Sequence, residues 1–306
     1  MIELLGSALM QRALLAALLV GATAPIIGTY LVQRRLALLG DGIGHIALTG
    51  VAAGWLAGAL AGLATPEALA LPGAVAVAVL GAVGIEWVRA KGRITGDVAM
   101  AILFYGGIAG GVLLIKIAGG TSASLMTYLF GSIATVSVSD LLWTTALAGL
   151  VLTVSFGLRG PLFAVSHDEE FAKASGLPVQ LFASVLAALA ALTVTVSMRV
   201  VGLLLVSALM IVPVAIAQTI TKSFSSTMAI ASAIGAAVSV VGLSITYWHD
   251  LPPGATIVVL AIGLYAAGSL FQRFRRQPTP NTDPHPDLDD DVTVRDTTTP
   301  FQEPPP

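Results

Sequence analysis

Uncharged, apolar windows of close to twenty residues follow one another along most of this chain, separated by short charged stretches. They run 13–33, 42–66, 68–85, 98–115, 117–139, 141–158, 174–198, 200–221, 223–248 and 251–272, the second interrupted only by His45. A helix needs about 20 apolar residues to cross a hydrocarbon layer of about 30 Å. The pattern therefore predicts an all-α, polytopic integral membrane protein. The window 117–139 is the exception. It opens Gly119-Gly120-Thr121-Ser122-Ala123-Ser124 and stays rich in Ser and Thr, which predicts a re-entrant or interfacial segment and leaves nine transmembrane helices.

Charge fixes the orientation that nine spans would take, because short cytoplasmic loops carry the excess of Lys and Arg. With the N-terminus outside, only Arg12, Lys116 and Arg199 of the 15 basic residues fall on the outer side, leaving 12 inside. A tenth span at 117–139 would send Arg159, Lys173, Lys222 and the Arg273 to Arg276 cluster to the face opposite Arg89 and Arg93. Nine spans, an outer N-terminus and a cytoplasmic C-terminus are expected. A cleaved secretory signal is the alternative for the first window, since Ala22-Thr23-Ala24 resembles a small-x-small site. Its uncharged run is too long for a signal core, and Pro25 follows directly.

Composition agrees: 56% of the 306 residues are hydrophobic and 10% charged, against about 25% charged in a soluble domain. Cysteine is absent, so there is no disulfide framework and no thiolate metal site. From Pro278 onward Pro, Thr and Asp dominate, with seven acids against one base, Arg295. Two regions are expected: a transmembrane domain, 1–277, and a disordered acidic cytoplasmic tail, 278–306. The tail accounts for the net charge of −2, so the chain's mild acidity carries no information about substrate. Nothing in the charge pattern points to nucleic acid.

Candidate chemistry concentrates in the second span, Leu38-Leu39-Gly40-Asp41-Gly42-Ile43-Gly44-His45. Residues i and i+4 share a helix face. Measured from Arg35 at 1.5 Å per residue, Asp41 lies ~9 Å and His45 ~15 Å into the layer. An ionisable side chain at that depth costs at least about 2.5 kcal/mol, which marks it as functional by default. Carboxylate and imidazole suit a divalent zinc, manganese or iron ion and suit copper(I) poorly. The plainer reading is that Asp41 caps a helix starting near Gly42 while His45 is a packed histidine. Gly50, Gly54, Gly58 and Gly62, and the run Gly106, Gly107, Gly110 and Gly111, provide the small surfaces by which helices approach closely in lipid.

The one sizeable polar inside loop contains Asp168-Glu169-Glu170-Phe171-Ala172-Lys173-Ala174-Ser175-Gly176. Acids at its start, Lys173 later and Gly176 as a stop describe a short cytoplasmic coupling helix. It could receive motion from an ATPase or simply rest at the interface. The chain encodes no motor of its own. A phosphate-binding loop needs Gly directly before its Lys, and none of Lys91, Lys116, Lys173 or Lys222 has one. Pro213, inside the seventh span, removes a backbone hydrogen bond and either lines the pathway or kinks the helix. His249 and Asp250 are read as a polar cap on the eighth span.

The segments Arg34 to His45, Asp168 to Gly176 and Val200-Val201-Gly202-Leu203-Leu204-Leu205-Val206-Ser207-Ala208-Leu209-Met210-Ile211-Val212-Pro213, with Leu251-Pro252-Pro253-Gly254-Ala255-Thr256-Ile257, resemble the zinc/manganese-type permease family of ABC transporters. The resemblance implies a homodimeric permease in a prokaryotic plasma membrane, a cytoplasmic ATPase dimer on its inner loops and an extracytoplasmic metal-binding protein that delivers the ion. It implies no tightly bound cofactor, only a transported divalent cation held by Asp41 and His45. Gly42, Gly44 and Thr49 depart from the family's usual Ala, Ser and Pro. A permease for siderophore-like chelates is the nearest competitor. A secondary carrier would need buried coupling carboxylates, whereas Glu86, Asp97 and Asp140 fall at span ends.

Overall fold

The computed structural model describes residues 7–92, 95–119, 128–131, 136–249 and 251–275. Among them every long apolar window except 117–139 is a helix: α1 (Ala8–Gln33), α2 (Leu39–Leu60), α3 (Ala70–Ala90), α4 (Gly96–Ile117), α5 (Val138–Gly157), α8 (Val179–Val201), α9 (Leu203–Ile220), α10 (Phe224–Trp248) and α11 (Pro253–Arg275), with two short helices between α5 and α8, α6 (Arg159–His167) and α7 (Glu169–Ala174). Nine helices among the described residues are long and apolar enough to span. The protein is an all-α polytopic membrane protein. Most of the window 117–139 and the acidic tail lie outside the described residues.

Two compact units partition the chain, residues 1–267 and 268–306. Of the second, the described part is the end of α11. In the first, α1 is the central helix. It packs on α10, α9, α5 and α8, and Ala16, Ala24, Ile27 and Tyr30 are fully buried along it. A helix so placed is a structural span, not a signal. Hydroxyls within the spans are satisfied locally: Thr29 donates to the Pro25 carbonyl and Thr193 to that of Leu189, both at 2.7 Å. Lipid provides no alternative partner.

Small residues set the helix spacing. A Cβ on Gly28 would stand 1.7 Å from the Met210 carbonyl oxygen, and one on Gly54 would stand 2.0 Å from that of Leu69. The first contact seats α9 on α1 and the second seats α2 against the start of α3. The small-residue stripe of the second span is thus used within one subunit.

Two ion-pair groups lie at opposite ends of the bundle. At one end Arg34, Glu86, Arg89 and Glu169 meet. At the other, Asp140 in the first turn of α5 pairs with Arg199 in the last turn of α8 at 3.3 Å. The up-and-down course of nine spans requires this separation.

Candidate functional site

α2 begins at Leu39, earlier than a cap at Asp41 would have it, and its N-cap residue, Leu38, has no side-chain acceptor. Asp41 therefore stands in the first turn as a helical residue, free to direct its carboxylate outward. The chain enters this helix through a tight turn in which Arg35 takes a φ of 59° and Leu39 N–H donates to the Leu36 carbonyl at 3.0 Å. That turn shortens the reach estimated from Arg35. His45 lies six residues beyond Leu39, about 9 Å along the axis.

Asp41 Oδ1 and His45 Nε2 are 3.8 Å apart, with the imidazole 9% and the carboxylate 26% exposed. The separation is too long for a hydrogen bond. It is near the ~3.4 Å expected of two donors each about 2.1 Å from one tetrahedral ion. His45 Nδ1 is buried without a hydrogen-bond partner among the described residues, and the ring edge packs on Phe104 at 4.3 Å between centroids. The Asp41 face opens on a cleft of about 460 Å³ lined by Leu38, Gly42, Met100, Ala101, Phe104 and Tyr105.

The scaffold around this pair is built from glycines. A Cβ on Gly107 would come within 2.3 Å of the His45 carbonyl carbon, so α4 lies directly on the backbone of the histidine. One turn further along, Thr49 donates to the Gly107 carbonyl at 2.8 Å. On the other side, Leu203 Cδ1 fills the space where a Gly44 Cβ would be, 1.8 Å away. Leu203 follows Gly202, whose φ of 87° makes the sharp turn from α8 into α9. Gly42 and Gly44, beside Asp41 and His45, thus admit neighbouring side chains and backbone. No group of three or more His, Asp or Glu that could hold a metal ion forms among the described residues.

Helix α7 has the ends its sequence predicts. Asp168 Oδ1 accepts from Phe171 N–H at 2.9 Å. Gly176 has a φ of 80°, with its N–H on the Lys173 carbonyl at 3.1 Å and Leu177 N–H on that of Ala172 at 3.1 Å, a paired helix stop that requires glycine. Glu170 and Lys173 are exposed, and Phe171 is 66% exposed. Sequence reasoning missed the preceding helix α6, and it missed Arg34 and Arg89 as partners of Glu169. Pro213 is buried inside α9, which continues through it. His249 ends α10, with its N–H on the Ile245 carbonyl, and Asp250 lies outside the described residues.

A bundle of nine helices long and apolar enough to span, among the described residues, defines a polytopic membrane protein. The ABC 3 transport family matches residues 7–272, and the chain belongs to that family. It is 34% identical over 270 residues to the manganese transport system membrane protein MntC of Halalkalibacterium halodurans, covering 88% of this chain and 89% of that one. A probable iron transport system membrane protein of Haemophilus influenzae is 32% identical over 267 residues, 87% and 94% of the two chains. Among solved structures, PsaBC from Streptococcus pneumoniae in complex with Fab superposes with a TM-score of 0.75 at 29% identity, over 89% of this chain and 97% of that one.

Proposed function

We propose that this chain is the pathway by which a divalent metal ion, manganese or zinc, enters the cell, and that Asp41 and His45 hold the ion in passage. The observation that carries the reading is the juxtaposition of Asp41 Oδ1 and His45 Nε2 at 3.8 Å on one face of α2, unbonded to each other. The relatives named for manganese transport favour that ion. Zinc usually takes four ligands, and a two-fold axis bringing two copies of α2 together would supply two Asp and two His without another residue. The second copy is accordingly a partner.

Energy comes from a separate cytoplasmic ATPase dimer docked on α7, and an extracytoplasmic metal-binding protein delivers the ion. The chain itself hydrolyses nothing, holds no resident cofactor and binds no nucleic acid. Its N-terminus faces outward, and the tail 278–306 that follows the 1–277 permease is on the cytoplasmic side.

Substitution tests the site. Asp41→Asn and His45→Ala should each abolish metal-dependent growth and uptake while the protein remains in the membrane with its ATPase bound. Wild-type rates of both zinc and manganese uptake in both variants would make the pair a packing feature and put the ion's path elsewhere.

A further inference from the structure

The first two residues of the coupling helix point in different directions. Glu170 faces outward, where an ATPase would bind. Glu169 turns back toward the membrane helices, its Oε2 standing 3.6 Å from Arg34 and 3.5 Å from Arg89. Both arginines also face Glu86. Arg34 approaches it through two nitrogens, at 3.2 and 3.5 Å, and Arg89 reaches it at 3.5 Å. The four side chains form a charge-balanced square. Two of its corners, Arg34 and Glu86, are 3% exposed, whereas Glu169 is 50% exposed.

This asymmetry is what a releasable contact needs. Stranding a buried charge is costly, but when Glu169 leaves, both arginines keep Glu86. The contact can therefore open with each arginine still facing a carboxylate, the surplus positive charge resting on Arg89, which is 20% exposed. A second tie lies alongside, with the Gln33 amide nitrogen 2.7 Å from His167 Nδ1. Arg34 is moreover the C-cap of α1, its N–H on the Tyr30 carbonyl. It leads through the hydrogen-bonded turn Arg35 to Leu38 into α2, seven residues before Asp41. A pull on Arg34 is thus delivered to the foot of the helix that carries the proposed ion ligands.

We infer that Glu169, with Arg34 and Arg89, is a latch tying the coupling helix to the inner ends of α1 and α3 and, through the 35–38 turn, to α2. The inference rests on the reading of this chain as an ATPase-driven permease. Glu169 acts as a positioning residue, transmitting ATPase movement, while Glu170 and Phe171 make the outward contact.

The test uses the complete transporter in proteoliposomes, with manganese uptake and ATP hydrolysis measured on the same vesicles. Glu169→Gln should leave the ATPase bound and hydrolysing while ions imported per ATP fall about tenfold, the scale of a strong single-residue effect on coupling. Glu169→Asp, which keeps the charge, should recover most of the loss. In a second arm the double variant Arg89→Cys with Glu169→Cys is bridged by a short bifunctional thiol reagent, and ATP hydrolysis should then fall by about the same factor. A wild-type ion-to-ATP ratio in Glu169→Gln, equal loss in Glu169→Asp, or unchanged hydrolysis in the bridged protein would each overturn the latch. Absent manganese uptake by the wild-type complex would count against the proposed ion instead, and the bridging arm would still decide the latch.

Discussion

Glu86 shows what a single ionisable residue does in an apolar bundle. It lies one turn inside the end of α3, 2% exposed as a residue, and faces Arg34 and Arg89 together. Breaking a buried pair by removing one member costs about 3 to 5 kcal/mol, because the remaining charge is left uncompensated. Glu86→Ala should therefore lower the thermal unfolding midpoint in detergent far more than Glu170→Ala, whose side chain is exposed. Equal midpoints for the two variants would show that the arginines reach water or another partner. Glu86 and Asp140 were legible in the sequence as acids at span ends. Their partners were not, since the pairs Arg34–Glu86 and Asp140–Arg199 join residues far apart in the chain.

At the scale of elements, the contact between α2 and α4 decides whether the Asp41–His45 pair keeps its geometry. Gly107 has no room for a Cβ because the His45 and Ile46 backbone lies within 2.6 Å of where it would stand, whereas nothing lies within 4 Å of a Cβ on Gly106. Gly107→Ala should push the two helices apart at the histidine and sharply reduce uptake. Gly106→Ala should be neutral, aided by alanine's better helix propensity. Matching uptake in the two variants would show that the close approach is not needed for function. Here the sequence marked the glycine run but not its partner. Hydropathy placed the nine helices because lipid demands a fixed apolar length, yet it set boundaries at charges. The chain turns instead at Gly202, and Arg199 remains inside α8. Helix α6 went unseen since its nine residues, Arg159–His167, are too short for a span and mix polar with apolar positions. Helix α7 was readable because its cap, charges and glycine stop are local signals. The Asp41 and His45 pairing was readable for the same reason, being set by helical spacing alone.

At the scale of the whole molecule, the proposed outward contact of α7 and the proposed orientation in the membrane rest on one arrangement of charge. Glu170 and the exposed Phe171 stand on the side that holds Arg34, Glu86 and Arg89, so Glu170→Arg should weaken the ATPase's hold and reduce both its co-purification and uptake. Unchanged values of both would remove α7 as the docking element. The orientation itself is testable with little preparation, since the natural chain has no cysteine and every introduced thiol is the sole target of a labelling reagent. Glu67, in the turn between α2 and α3, belongs to the end that carries the Asp140–Arg199 pair. Lys222, between α9 and α10, belongs to the end that carries the Arg34 square. A membrane-impermeant maleimide added to intact cells should therefore label Glu67→Cys, and should label Lys222→Cys or Asp283→Cys only after the membrane is opened. Labelling of Asp283→Cys from outside, or protection of Glu67→Cys, would invert or break the nine-span course. With it would go the assignment of α7 to the cytoplasm.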